Sequence, residues 1–127
     1  LTTLPAVVAA VASPLASARV AAWTWSEARR LPEPLARDGI RAIGLIQPPP
    51  PAADRQRRTV CTVLRLAGAT CLVRSAVLQR WDADHAAGRP LVVGVARDRE
   101  GGIVAHAWLD GEADGTEFIE LHRRDPG

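Results

Sequence analysis

The sequence predicts an α+β domain, because its apolar pattern changes period at Pro90. Upstream, Val60, Val63, Leu64 and Ala67 stand at i, i+3, i+4 and i+7, and Leu72, Val73, Ala76, Val77 and Trp81 form a second, wider helical stripe. Downstream, Leu91-Val92-Val93-Gly94-Val95-Ala96 and Ile103 to Asp110 are apolar runs of strand length, parted by the charged, glycine-containing segment Asp98 to Gly102. Helices first and strands afterwards is the order of an α+β fold in which a helix packs on an antiparallel sheet.

The elements follow in order. Ala6 to Trp25 predicts one or two short helices that part near Pro14, and an amphipathic piece runs from Ser26 toward Arg37. Together they make an N-terminal helical layer over residues 1–47. Its last part, Ile40 to Gln47, is apolar and β-branched and reads as a short strand or a buried extended link. Pro48-Pro49-Pro50-Pro51 imposes polyproline II geometry, so residues 48–56 are a spacer before a core at 57–127, the whole forming one compact domain. Within the core, one helix ends at Gly68 and the next begins at Thr70, whose hydroxyl suits an N-cap and leaves Cys71 in the first turn. Gly88-Arg89-Pro90 closes that helix. A hairpin then joins the first two strands. After a turn at Gly111 to Gly115, Glu117-Phe118-Ile119-Glu120-Leu121 supplies a third strand, completing an antiparallel meander.

The 127 residues suffice for one modest core and one active site. The net charge of +2 and pI near 9.0 come from arginine alone, and sixteen Arg against fourteen acids is too balanced for a nucleic-acid footprint. Lys, Tyr, Met and Asn are absent beside abundant Ala, Arg, Gly and Pro, which reads as the composition bias of a GC-rich bacterial genome. Cys61 falls on an apolar helical face and Cys71 at a helix start, so both are expected as free thiols in a reducing cytoplasm. Leu1 to Trp25 has no basic residue before Arg19 and is interrupted by Pro5 and Pro14, which argues against an export signal and against a membrane span. With two cysteines and no spaced His/Cys ligand pairs, neither a metal nor another cofactor is expected.

The chemistry centres on Cys71. A thiol becomes a useful nucleophile when its pKa is lowered or its proton removed; a helix N-terminus does the first and a facing histidine the second. On the second strand Val104, His106, Trp108 and Asp110 share one face, so His106 would meet the sulfur if the Cys71 helix packs across that face. A carboxylate on the adjoining strand would hold the ring's other nitrogen. Glu120 is the first candidate for it, with Asp110 and Glu117 as alternatives. Each residue also has a plainer role: a cysteine in an apolar helix is commonly a small core residue, and a strand histidine beside tryptophan a packed one. His85 and His122 are expected at a solvated helix end and on the surface, and Arg74 in a surface ion pair.

Cys71-Leu72-Val73-Arg74-Ser75 ("C-L-x-R-S"), the "V-x-G-V" strand Val92-Val93-Gly94-Val95 and Ala105-His106-Ala107-Trp108 ("A-H-A-W"), followed by an acidic residue, resemble the transglutaminase-like leader peptidases of lasso-peptide biosynthesis. The resemblance runs from about Arg57 onward, and the chain is similar in length to the stand-alone peptidase form. It implies a papain/transglutaminase-like fold and a Cys-His-Asp triad, with Cys71 attacking the scissile carbonyl at the end of a leader peptide. His106 would take the thiol proton and return it to the leaving amine. Where the family has Asp, alignment through Asp114-Gly115 brings Glu120, a departure that gives a longer arm to the third residue. The resemblance further implies three partners: the precursor leader peptide, a separate leader-recognition protein and an ATP-using cyclase. Trp23 and Trp25 read as core or helix-packing residues, with a docking patch for these partners as the alternative. A transglutaminase-like amidase or acyltransferase, in which an amine replaces water, and a non-catalytic peptide-carrier scaffold are the alternative functions.

Overall fold

The computed structural model describes residues 3–52, 54–112 and 117–126, with backbone alone for 3–13 and 54. The chain forms α1 (Thr3–Arg30), α2 (Pro32–Asp38), a 3-10 segment (Gly39–Leu45), a 3-10 turn (Asp54–Gln56), α3 (Arg57–Leu66), α4 (Cys71–His85), β1 (Leu91–Arg97), β2 (Ile103–Leu109) and β3 (Ile119–Arg124). It is a small α+β domain with helices packed against a three-stranded antiparallel sheet.

Two expectations for the N-terminal part are corrected. The helix does not part at Pro14; α1 runs through it, and Ser26 lies inside the helix rather than at a new start. A proline withdraws one N–H from the helix and costs roughly 3 kcal/mol, which burial further along α1 offsets. Val20, Thr24 and Ala28 are buried there, and Thr24 Oγ1 donates to the Val20 carbonyl at 2.8 Å. Pro32 then opens α2, where a missing N–H costs nothing. The segment Ile40 to Gln47 is 3-10 helical through Leu45, not extended. Ile40, Ile43 and Ile46 recur at three residues, the period of a 3-10 turn, and this puts Ile43 and Ile46 into the core with Ile40 packed against it. Gly39, at φ 67°, makes the entry that a side chain would strain.

A single hydrophobic cluster draws on every layer: Val20 of α1, Leu31 at the joint between α1 and α2, Ile43 and Ile46, Val60 and Leu64 of α3, Val73, Val77 and Trp81 of α4, and Leu91 and Leu109 of the sheet. The proline run lies along this body. Beside it, Trp23 Nε1 donates to the Gln47 carbonyl at 3.0 Å, and the Gln47 N–H donates to the buried Glu27 at 3.2 Å.

The sheet order is β2-β1-β3, so β1 is central and the expected meander is wrong. The C-terminal half of the outer edge of β2 is already engaged. Ala107 bonds to α4 through both its N–H and C=O, and Leu109 bonds to Glu112 through both of its own. The third strand therefore adds beside β1. Gly94 lies where the rows cross, opposite His106 on one side and Glu120 on the other, with a register irregularity between Val93 and Gly94 on the β3 side. Only glycine fits there. A Cβ would stand 2.7 Å from the Ile119 carbonyl oxygen and 2.8 Å from Trp108 Cη2.

Candidate functional site

Cys71 is the first residue of α4, as its place after Thr70 predicted. Thr70 is extended (φ −67°, ψ 165°), its Oγ1 accepts from the Val73 N–H at 3.3 Å, and its carbonyl accepts from the Arg74 N–H at 2.8 Å. The N–H groups of Cys71 and Leu72 have no acceptor among the described residues, which leaves two first-turn donors beside the thiol. The half-buried sulfur rests on the edge of β2, where it accepts the Ala107 N–H at 3.4 Å. One turn along, Ser75 Oγ donates to the Ala107 carbonyl at 3.3 Å, so α4 is fastened to this edge at two points. The amide nitrogen that touches Cys71 Sγ is bonded to the carbonyl carbon of His106. Standard bond lengths then put the His106 Cα within about 6 Å of the sulfur.

The imidazole itself points elsewhere. α4 packs on the face of the sheet that carries Leu91, Val93 and Leu109, whereas His106 shares the opposite face with Trp108. Its half-buried ring lies 5.0 Å from Phe118 and 5.9 Å from Trp108, centre to centre. The condition that α4 cross the His106 face is thus not met. The thiol comes to His106 from the strand edge, and no hydrogen bond joins the two side chains.

Nor does a carboxylate reach the ring. Glu120 and His106 are separated by β1, roughly 10 Å at two strand spacings, and the Trp108 ring overlies Gly94 between them. Glu120 is instead held by Arg123, at 2.7 Å from Nη2 and 3.3 Å from Nε. That guanidinium's hydrogen bonds and charge hold the exposed carboxyl below the usual value. Asp110 accepts from the same Arg123 at 3.0 Å, and Glu117 is exposed before β3. Asp114 and Gly115, through which the third residue is aligned, lie outside the described residues.

The acid that does approach the thiol's helix is Glu112, which sequence reasoning missed. Its Oε1 accepts the Leu109 N–H at 2.8 Å and its Oε2 accepts from Arg74 Nη2 at 3.3 Å, locking the end of β2 to α4 one turn beyond Cys71. Gly111, at φ 94°, folds the chain back to make this clamp and is its one visible signal in the sequence. Burial alone would raise the Glu112 pKa; the Leu109 N–H, the Arg74 guanidinium and the charge of Arg89 outweigh it, and the pKa is lowered from 4.5. A depressed carboxyl stabilises the fold above its unfolded value and loses that contribution as pH falls through its folded value. Glu112→Gln is accordingly expected to cost about 1 kcal/mol at pH 7, with the two proteins converging in urea unfolding once the pH is well below 4.5.

Cys61 and Cys71 are both free; Cys61 packs against the core on α3, with Arg57 Nη1 at 4.0 Å from its sulfur. Arg57 also donates to the buried Asp82 at 2.8 and 3.1 Å, tying α3 to α4. His122 is exposed, but His85 is not a solvated end residue: it stacks on Trp81 at 3.8 Å and contacts the Trp81 carbonyl through Nδ1. The planar ring covers the flank of an indole that would otherwise meet water. Trp23 packs on Trp81, while Trp25 stays 45% exposed beneath Arg29. No trio of His, Cys, Asp or Glu among the described residues is grouped to hold a metal, and no described helix is long and apolar enough to cross a membrane. Comparison of the chain with protein-family models, with curated proteins and with solved structures gave no match.

Proposed function

We propose that this protein is a cysteine endopeptidase of the transglutaminase-like kind that removes the leader from a ribosomally made lasso-peptide precursor. The observation that carries the reading is the place of Cys71. Its sulfur sits at a helix N-terminus with two first-turn N–H groups open and with the His106 Cα within about 6 Å across the Ala107 amide. A nucleophile needs donors where the oxyanion forms and a base within reach; the open N–H groups supply the first, and the second requires the His106 ring to turn over the strand edge toward the sulfur.

The chemistry runs in two halves. With substrate bound, the His106 ring turns from Trp108 and Phe118 toward the sulfur and takes the thiol proton as Cys71 Sγ bonds to the scissile carbonyl carbon. The Cys71 and Leu72 N–H groups receive the oxyanion. When the C–N bond breaks, His106 returns the proton to the leaving amine, and the leader remains as a thioester. Water, deprotonated by His106, then releases it as a free acid. Glu120 is the acid that the resemblance assigns to orient the ring. It lies across β1 from His106, with the Trp108 ring between them and Arg123 bonded to its carboxylate, so His106 acts in this scheme without a carboxylate in place behind it.

The test is mass spectrometry of the neighbouring precursor peptide mixed with this protein and its leader-recognition protein, with Glu120→Ala alongside. The expected products are the freed core and a leader ending in a carboxylic acid. Transfer of the leader to an added amine would instead mark an acyltransferase. Intact precursor, with the thiol shown to be reduced, would mark a carrier.

A further inference from the structure

Every second residue of β2 turns its backbone N–H and C=O away from β1. Three of these outward positions form a graded series. Leu109 is satisfied by Glu112, whose carboxylate accepts its N–H and whose N–H donates to its carbonyl at 3.0 Å. Ala107 is satisfied by Cys71 and Ser75. Ala105, the next in the alternation, has no partner for either group among the described residues, and Ile103 beyond it is likewise open. The edge is thus closed up to the thiol and open from the thiol onward.

The side chains along this open stretch are those of an acceptor for another strand. Ile103 is 76% exposed and Val104 43%, and neither they nor the exposed Ala105 carries a charge. Folded proteins ordinarily guard an exposed strand edge with charge or proline. The other edge also exposes Ile119 and Leu121, but β3 sets them beside the charged Glu120, Arg123 and Arg124. The unguarded edge is the one that leads to Cys71.

We infer that the peptide substrate binds in extended form as an added strand on the outer edge of β2, bonded to the Ala105 N–H and C=O and resting an apolar side chain on Ile103. This rests on the peptidase reading and specifies its substrate as an extended, apolar segment. Ala105 is two residues from Ala107, about 6.6 Å along a strand, so the substrate residue it pairs with lies two places from the bond that Cys71 attacks. Backbone pairing of this kind holds the chain straight and presents the scissile carbonyl to the sulfur without demanding one particular sequence.

Ala105→Pro tests it, because proline removes the outward N–H and is tolerated on an edge strand where that N–H faces solvent. The readout is kcat/KM for cleavage of the fluorophore-tagged precursor in the presence of the recognition protein. Expected is a fall of about tenfold, as for the loss of one backbone hydrogen bond, carried mainly by KM. The rate of Cys71 alkylation by iodoacetamide should not change, which separates a lost substrate contact from a disturbed thiol. A second arm leaves the protein untouched: precursors N-methylated at the amide two residues before or two residues after the cut, one of which should lose cleavage to a similar degree. A folded Ala105→Pro protein that cleaves at the wild-type rate, or equal cleavage of both methylated peptides and the parent, overturns the strand-addition mode while leaving the peptidase standing. If the proline variant does not fold, the methylated peptides decide. Failure of the wild-type protein to cut any of them overturns the peptidase itself, and the substrate mode with it.

Discussion

Cys71→Ala is expected to abolish leader cleavage, by a factor on the order of 10⁴ or more, in a protein that stays folded. The thioester can form only on this sulfur, and no second nucleophile stands at the α4 N-terminus: Thr70 spends its hydroxyl on the Val73 N–H, and Ser75 gives its proton to the Ala107 carbonyl. The stability cost is small because the thiol is only half-buried and its one bond is a long contact with Ala107. Thermal unfolding should therefore barely move while cleavage is lost. Cleavage that survives the substitution would remove Cys71 from the chemistry, and a collapse of the fold would show that the thiol is a packing residue.

Trp81→Ala should have the largest effect on stability, about 3–5 kcal/mol. The side chain is fully buried where α4 faces α1, with Trp23 at 6.0 Å on one side and His85 stacked at 3.8 Å on the other. Truncation opens a cavity that the neighbours cannot close, since Trp23 is tied to Gln47 and Val77 and Leu78 are themselves in place in the core. Against a total stability of about 5–15 kcal/mol, such a loss would bring the midpoint of urea unfolding to a small fraction of the wild-type value. A change under about 1 kcal/mol would mean that the α1–α4 packing is not what holds the helix bearing Cys71.

The parts of the fold legible in the sequence are those where a local signal and burial agree. Thr70 is an extended residue with a hydroxyl before an apolar stripe, and it caps α4; Gly68 ends α3; the three strands lie close to their predicted places. Reading failed where one local signal was overruled by contacts far away in the chain. Pro14 reads as a break, yet the burial of Val20 and Ala28 carries the helix through it. Ile40, Ile43 and Ile46 suit an extended run as well as a three-residue turn, and only the position of the core separates them. Strand order was hidden because nothing within β2 announces that α4 and Glu112 will occupy its edge. The same gap affects the site. The motifs single out Cys71 and His106, and the Cys71 sulfur does reach the strand next to His106, but the facing of the imidazole depends on which side of the sheet α4 covers. Glu112 lies in a turn with only Gly111 to mark it, and its role comes from Arg74, 38 residues away.

The most direct test of Cys71 as nucleophile is to catch the acyl-enzyme. Precursor mixed with this protein and the recognition protein would be quenched in acid within the first turnover, digested, and the Cys71-containing peptide weighed. A mass increase equal to the leader less one water, on that peptide and absent from the Cys71→Ala protein, is the predicted result. Leader released at the full rate with no adduct at any time, and undiminished in Cys71→Ala, would contradict the mechanism.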